Sequence, residues 1–475
     1  MAESLTTIRS KLQEHKQDHL LKFYDELSEL ERENLLEQLS DIDFVALQTL
    51  IDQYVMRNPV KDLPKDLQPA PYYPCDPGSK YDADHYRTIG EDLIRQGKVA
   101  AFTVAGGQGT RLGWNGPKGT FPATAITGRP LFRIFAEQLL ATAKRYGNSI
   151  RWYIMTSPQN HAQTRAFFAD NRFFGIDRQD IFMFPQGTMP CIDAATGKLL
   201  LSNKSTIAVN PDGHGGSIKA LAQSGAIEVM QSCGIEHISY FQVDNPMVRA
   251  IDPLFVGLHA AAPDSSGEIS SKMVTKTSPQ EKVGVFCQSG GKTMVIEYSD
   301  LPDDLTNQTT DDGKLRFIAG SIAIHMLSVK FVEKLTSNSD GFALPFHRAD
   351  KIVPYIDTTT GKLTEPDKPN AVKLEAFVFD AIPLAESSIV YETNRNEEFA
   401  PIKNAKGIDS VVSSQQLQTQ RAANWLKTHG IEIPLDSKDQ VDAVIEISPL
   451  TALEAADLKK IDLPKSIKPG ESIVL

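Results

Sequence analysis

The chain has 475 residues, 41% of them hydrophobic and 23% charged, with 60 Asp and Glu against 49 Lys and Arg and a net charge of −11. That length fits two or three domains of about 100–200 residues, and the balance is that of an ordinary soluble globular protein. The acidic excess disfavours a nucleic-acid partner, and no apolar run approaches the ~18–20 residues that span a bilayer.

The start, MAESLTTIRSKLQEHK, has no apolar core of the kind a secretory signal needs, so a cytoplasmic enzyme with no membrane partner is expected. Leu20, Leu21, Tyr24 and Leu27, then after a break near Glu31, Leu35, Leu36 and Leu39, recur at helical spacing. Ser40 is the predicted N-cap of a further helix carrying Phe44, Leu47, Leu50, Ile51 and Tyr54. A proline-rich connector follows from Asn58 to Pro77. Val99 to Val104 (VAAFTV) then reads as a strand and runs into a glycine-rich loop. A helix is predicted over Pro130–Tyr146, a strand over Ile150–Met155, a helix around His161–Asn171 and a strand over Ile181–Phe184. A helix follows Gly216, and the strand His237–Val243 ends at Asp244.

This alternation predicts an α/β fold with a mainly parallel sheet and helices on both faces. Ligands of such sheets bind at the carboxyl ends of the strands, where the glycine loop and Asp244 both fall. The last 70 or so residues show short apolar alternations and turn signals, and read as a small separate domain. The expected division is a helical segment with its connector over 1–92, a catalytic domain over 93–404 and a β-rich domain over 405–475. The cysteines, Cys75, Cys191, Cys233 and Cys287, form no CxxC pair, which argues against a zinc site or disulfide framework; buried free thiols are expected.

The loop VAGGQGTRLGWNGPKG, Val104 to Gly119, carries the chemistry. Its glycines let the backbone turn sharply and approach a ligand, and successive N–H groups in such a turn can converge on phosphate oxygens. Arg111 and Lys118 supply positive charge. A Walker A loop is excluded because Pro117 precedes Lys118 where that motif needs Gly-Lys. The dinucleotide fingerprint is excluded because Gly107, Gly109 and Gly113 are spaced G-x-G-x-x-x-G, with no Asp or Glu before Glu137. An acidic chain that handles triphosphates also needs a divalent cation to offset its own field, and Mg²⁺ is expected.

Further along, NPDGHGGSIKAL (Asn210–Leu221) is a second glycine turn running into a helix, whose N-terminus carries partial positive charge. Asp244, in VDNP, suits Mg²⁺ held by one or two carboxylates plus phosphate oxygens, although a lone strand-end Asp is more often a turn or capping residue. Glu297 in VIEYSD, and Gly320 and Ser321 in FIAGSIAIH, could line a sugar pocket. Phe377 and Phe379 in FVFD alternate as a strand does, so one face would present both rings, to a ligand or to the core. Lys403 in PIKNA is by itself an ordinary solvated lysine.

The register Gly107, Gly109, Thr110, Gly113, Pro117, Lys118 resembles GxGTxxGxxxPK, the signature of nucleotidyltransferases that make UDP-sugars. With DHLLKFYDEL, PQGTMP, PDGHGG, QVDN, VIEYSD, KIVPYID, EPDKPNAVKLEAFVFD, PIKNA and IEISPL in that family's order, most of the chain resembles eukaryotic-type UDP-N-acetylglucosamine pyrophosphorylases. The resemblance implies a Rossmann-like, GT-A-like central domain, an N-terminal helical segment and a small C-terminal β domain. It implies the reaction of UTP with a sugar 1-phosphate to UDP-sugar and pyrophosphate. Carried over, Ala105, Gly106, Gly107 and Gly215 would contact the nucleotide, and Gln186 would read uracil. Arg111, Lys118 and Lys403 would hold phosphates and Asp244 would hold Mg²⁺. His214, Glu297, Ser321, Lys373, Phe377 and Phe379 would sit at the sugar.

Two departures bear on the substrate. N-acetylglucosamine-type members carry Asn where this chain has His214 and Ser321, which points to a donor range shifted or broadened towards glucose or galactose derivatives. Two other classes stay open. A GT-A-like glycosyltransferase would use a D-x-D metal motif, whereas Asp244 is followed by Asn245 and Pro246. A catalytically silent nucleotide-sugar sensor would not need Arg111, Lys118 and Asp244 together. The oligomeric state is not legible.

Overall fold

In the computed structural model, which describes residues 3–57, 63–337 and 344–475, the chain is divided into two units that it enters more than once. One comprises Met1–Leu63, Gly187–Gly216 and Leu344–Phe377, and the other Pro64–Gln186, Ser217–Ala343 and Val378–Leu475. Asn58 to Asp62, the start of the proline-rich connector, lie outside the described residues.

The larger unit is built on a ten-stranded sheet. Its strands are β1 (Gln68–Pro69), β2 (Val99–Val104), β3 (Trp152–Thr156), β4 (Ile181–Pro185), β5 (His237–Gln242), β6 (Ile269–Thr275), β7 (Val285–Ser289), β8 (Lys292–Ile296), β9 (Ala319–Ser328) and β10 (Val390–Glu392). The order is β1-β7-β9-β5-β2-β3-β4, with β6 paired to β9 and β10, and β8 to β7. The predicted strands and the helices Leu131–Tyr146 and His161–Asp170 form within a residue or two of their expected bounds. The β5-β2-β3-β4 run is parallel, as crossover connections through helices require. The expectation of a mainly parallel sheet is corrected beyond β5: β9 runs antiparallel to β5, β6 and β7. Between β7 and β8 the turn is Gly290-Gly291, both at positive φ (54° and 77°), the conformation that two-residue hairpins favour.

Burial follows the strand pattern. β2 and β3 are mostly apolar on both faces and, apart from the half-buried Val104, buried, as strands covered on both sides must be. Phe132, Phe135, Trp152, Phe168, Phe241 and Phe255 belong to the main core. Towards the C-terminus, Ser410 caps the helix Val411–Lys427. Its Ala422, Ala423, Trp425 and Leu426 form a second core with Ile445, Leu458 and Ile467, beside the parallel pair Ala443–Glu446 and Glu471–Val474. The sequence reading missed this helix.

The smaller unit carries the helices Leu5–Glu14, Glu29–Ser40 and Phe44–Leu50 and a sheet ordered Phe346–Lys351, Ala371–Ala376, Ile192–Asp193. Its core joins Ile8, Leu12, Leu35, Leu39, Phe44 and Leu47 to Ile192, Leu199, Val372 and Leu374. Glu31 is not a break: the Ser28 N–H donates to Glu31 Oε2 at 2.9 Å, so Glu31 helps start the helix. Ser40 is the last residue of that helix, its hydroxyl donating to the Leu36 carbonyl at 2.7 Å. Asp43 is the N-cap of the next, accepting from the Val45 and Ala46 N–H groups at 3.0 Å each.

All four cysteines are free, but only Cys191 and Cys287 are buried, whereas Cys75 is exposed. Burial pushes the Cys191 and Cys287 thiols up to about 11 and 12. Among the described residues no helix is long and apolar enough to cross a membrane.

Candidate active site

In the larger unit the glycine loop leaves β2 at its carboxyl end. Ala105 is still sheet-bound, its N–H donating to the Met155 carbonyl at 2.7 Å. The loop folds on itself: Lys118 N–H donates to the Gly107 carbonyl at 3.0 Å and Gly109 N–H to the Gly116 carbonyl at 2.9 Å. Gly109 must be glycine because a Cβ there would lie 2.7 Å from Trp114 Cβ. Trp114 in turn donates from Nε1 to Thr120 Oγ1 at 2.9 Å, and Thr120 to the Pro117 carbonyl at 2.8 Å. The loop therefore holds its own shape, with Lys118 half-buried alongside Gly107, and Gly107 and Arg111 exposed.

The neighbouring strand ends support it. Gln186, one residue beyond β4 and buried, presses its side-chain oxygen against Gly106, where a Cβ would come within 2.3 Å of it. Asn160, just beyond β3, has a fully buried side chain. Its Oδ1 accepts from Ser157 N–H at 2.8 Å, and its Nδ2 donates to the carbonyls of Ala105 at 3.1 Å and Gly107 at 3.3 Å. Sequence reasoning missed Asn160; an Asn directly before a predicted helix was the available signal.

Asp244, half-buried, lies two residues beyond β5, and the preceding Val243 N–H donates to the Val104 carbonyl at 3.1 Å. The segment that carries Lys403 is tied to the same strand end. Ile402 N–H donates to the Asp244 carbonyl at 2.8 Å. Asn245 donates from Nδ2 to the Glu398 carbonyl at 2.6 Å and accepts at Oδ1 from Ala400 N–H at 3.1 Å. Lys403 Nζ lies 3.8 Å from Asp409 Oδ2, and the Asp409 carbonyl accepts from Lys403 N–H at 2.7 Å. Asp409 sits in the left-handed region at φ 55°, which Asp tolerates better than most residues. Burial raises its carboxyl above the ordinary range; Lys403 opposes this and Asp244 and Glu281 add to it. Asn245 and Asp409 are further positioning residues that the sequence did not reveal. Among the described residues, no group of three or more His, Cys, Asp and Glu side chains could hold a metal.

Also in this unit, Glu297 follows β8 and Ser321 lies near the start of β9, and Gly284 brings them together. Ser321 N–H donates to the Gly284 carbonyl at 2.7 Å, and a Gly284 Cβ would stand 3.6 Å from Glu297 Oε1. Phe379 is buried within the 3₁₀ segment Val378–Leu384. The expected strand alternation of Phe377 and Phe379 is corrected, because the strand ends at Ala376.

In the smaller unit, the PDGHGG turn packs on the end of Ala371–Ala376. Gly215 N–H donates to the Ala376 carbonyl at 2.8 Å, and Ala376 N–H to the Asp212 carbonyl at 2.9 Å. A Gly215 Cβ would meet the Phe377 backbone at 2.6 Å, so close backbone packing alone demands glycine there. His214 stacks on Phe377 with centroids 5.1 Å apart and 16° between planes, and His347 also stacks on Phe377, at 4.2 Å. Burial pulls His214 down to about 4, the nearby His347 adding to the effect, so His214 is neutral near pH 7. Lys373 pairs with Ala349 in the same sheet.

The comparisons agree with this architecture. The chain is 34% identical over 440 residues to UDP-N-acetylhexosamine pyrophosphorylase-like protein 1 of Xenopus tropicalis, covering 89% of this chain and 84% of that one. It is 33% identical over 435 residues to UDP-N-acetylglucosamine pyrophosphorylase of Saccharomyces cerevisiae, covering 87% and 89%. The fold is that of the uridine diphosphate N-acetylglucosamine pyrophosphorylase of Trypanosoma brucei, with a TM-score of 0.80 at 24% identity over 97% of each chain. The UTP–glucose-1-phosphate uridylyltransferase model matches residues 76–448, from the end of the connector into the C-terminal core, and the chain belongs to that family.

Proposed function

We propose that this protein joins UTP and a sugar 1-phosphate into a UDP-sugar with release of pyrophosphate, with N-acetylglucosamine 1-phosphate as first substrate. The observation that carries the reading is the set of strand ends in the larger unit: the glycine loop with Lys118 on β2, Gln186 against Gly106, and Asp244 tied to the Lys403 segment. Gly106, Gly107 and Ala105 line the nucleotide, Gln186 reads the uracil, and Gly215 approaches the nucleotide from its own turn. His214, Glu297, Ser321, Lys373, Phe377 and Phe379 bound the sugar.

Chemically, an oxygen of the sugar phosphate attacks the α-phosphorus of UTP, and the bond from that phosphorus to the bridging oxygen of the β-phosphate breaks. The nucleophile is already an anion, so no general base is required. The protein's work is positioning and charge stabilisation. Lys118 and Lys403 offset charge at the α-phosphate, and Arg111 holds the departing pyrophosphate. Asp244 fits Mg²⁺, which takes one or two carboxylates and substrate phosphates; the nearby Asp409 carboxyl is raised chiefly by burial, with Asp244 adding to it. When bound, Mg²⁺ would supply Lewis-acid stabilisation of phosphate charge. A cytoplasmic setting belongs to the same proposal, supported by four free and scattered cysteines.

The test is Mg²⁺-dependent pyrophosphate release from UTP with N-acetylglucosamine, N-acetylgalactosamine, glucose and galactose 1-phosphates. Dominant release with the first upholds the reading, and no release with any overturns it. His214 and Ser321 favour a second reading in which a non-acetylated hexose 1-phosphate is preferred. Ser is shorter than Asn and offers one hydroxyl in place of an amide. If that reading holds, Ser321→Asn shifts the ranking towards the N-acetylated sugars; an unchanged ranking rules it out.

A further inference from the structure

The larger unit contains a second cationic pocket that the reaction above does not use. It is lined by Arg87, Arg145, Arg249 and Arg421, with Trp425 and Glu454, and apolar side chains of Ile447, Pro449 and Ala452 complete its wall. Arginines that hold a fold together normally spend their donors on carboxylates, often as bidentate forks. Here only Arg145 does so, bonding Glu454 at 2.8 Å and also pairing with Asp457. Arg87 comes no nearer to Glu454 than 3.9 Å. Arg249 stands 3.9 Å from Glu398, whose carboxylate is already taken by Lys272 at 2.7 Å. Arg421 forms no ion pair among the described residues; it donates only to the carbonyls of Met247 at 3.3 Å and Glu397 at 3.1 Å. Three forks therefore line one pocket with most of their donors unspent.

We propose that this pocket binds a phosphate dianion, free or as a small phosphate monoester, at a site separate from the one that holds UTP. The charge is secure although the groups are half-buried. The carboxylates of Glu398 and Asp252 keep Arg249 cationic against burial. Arg421 is pulled down to about 10, by burial first and in part by the like charge of Arg249, with the carboxylates of Glu397 and Glu398 opposing; a bound anion offsets the like charge of the two guanidinium groups. Trp425 and the apolar wall offer a surface for an organic body, and Trp425 already stacks under Arg421, 5.2 Å from ring centroid to guanidinium. The site also touches the reaction's scaffold. Arg421 holds the carbonyls of Met247, three residues past Asp244, and of Glu397, in the segment that leads to Lys403, so an anion that redirects its donors acts on both.

Calorimetric titration of the full-length protein with inorganic phosphate and with glycerol 3-phosphate tests this, using wild type, Arg249→Gln and Lys118→Ala. Loss of one fork removes charge-assisted hydrogen bonds, so Arg249→Gln should weaken one binding event about 10–100-fold, while Lys118→Ala leaves that event unchanged. Tighter binding of glycerol 3-phosphate than of phosphate identifies a monoester as the ligand; the reverse identifies the free ion. Should Arg249→Gln fail to fold, the rim variant Arg87→Gln decides by weakening the same event several-fold. No binding up to ~10 mM of either probe, or binding that falls with Lys118→Ala and not with the arginine variants, overturns the proposal.

Discussion

Among single residues, those that hold the glycine loop separate from those that act through it. Lys118 has its backbone fixed to Gly107 and its side chain alongside, so Lys118→Ala removes a charge without disturbing the loop's own hydrogen bonds. The expected cost is about 10²–10³ in turnover, by analogy with loss of one transition-state donor, with little change in thermal stability. Asn160 acts differently. Its Nδ2 grips the Ala105 and Gly107 carbonyls from a fully buried position. Asn160→Ala leaves buried groups unpaired at about 1–3 kcal/mol, so both the melting temperature and the affinity for UTP should fall. Asn160→Asp keeps the acceptor for Ser157 and loses the donor, so it should weaken UTP as much as alanine does. Steady-state kinetics in UTP separates the cases: an aspartate variant with wild-type KM would show that Nδ2 does not hold the loop.

The segment that leads to Lys403 is placed by a buried polar network as well as by Ile402 in the main core. Lys272, inaccessible on β6, donates to Asp252 Oδ2 at 2.6 Å and to both oxygens of Glu398 at 2.7 Å. Thr393 donates to Glu398 Oε1 at 2.6 Å, and Asn245 fixes the chain on the far side of it. Burial pushes the Asp252 carboxyl up, but Lys272 and Arg249 hold it below the ordinary range. Lys272→Ala strands two buried carboxylates, and breaking one partner of such a cluster costs about 3–5 kcal/mol. A lowered first thermal transition, with turnover lost as Lys403 comes loose, is the expected result; a melting curve superimposable on wild type would contradict it.

None of this network was legible in the sequence, and the reason is physical. β2, β3, β5 and the helix Leu131–Tyr146 announce themselves through apolar periodicity, and the glycine loop through composition. Asn160, Asn245, Asp409 and His347 are single polar residues whose partners are mostly distant in the chain, so no periodic pattern marks them. The helix Val411–Lys427 was missed for a related reason: its covered side includes Ser414 and Thr419, which blur the apolar stripe. FVFD looked like a strand because alternation over four residues cannot distinguish a strand from its end.

Across the whole molecule, buried histidines set the acid limit. His214 lies near 4 through burial, with His347 adding. His259 is pulled well below its ordinary value by burial and by His237, and His237 and His19 are lowered chiefly by burial. His259 is inaccessible, with Nδ1 2.9 Å from Ser270 Oγ, and the structure offers its ring no second acceptor that a proton would need. An unfolded chain takes up these protons near pH 6.5, whereas the folded chain refuses them until lower pH. Depressed folded values therefore contribute stability in full above about pH 6.5, and that stability drains as pH falls towards the folded values. Carboxylates extend the loss at the acid end. Burial raises the Glu446 carboxyl, but donors from Thr127 and Ile126 overcome this and hold it low, so its contribution disappears only below the ordinary carboxylate range. The melting temperature should accordingly be flat between about pH 7 and 8, fall steadily from about pH 6.5 to 4, and fall again above about pH 8.5, where unfolded thiols ionise and the buried Cys191 and Cys287 do not. Thermal unfolding at half-unit steps measures it. Because His214 stays neutral over the upper part of that range, the ranking of sugar 1-phosphates should hold while the melting temperature declines; equal melting temperatures at about pH 7.5 and 4.5 would mean that these histidines take up protons without cost in the folded chain.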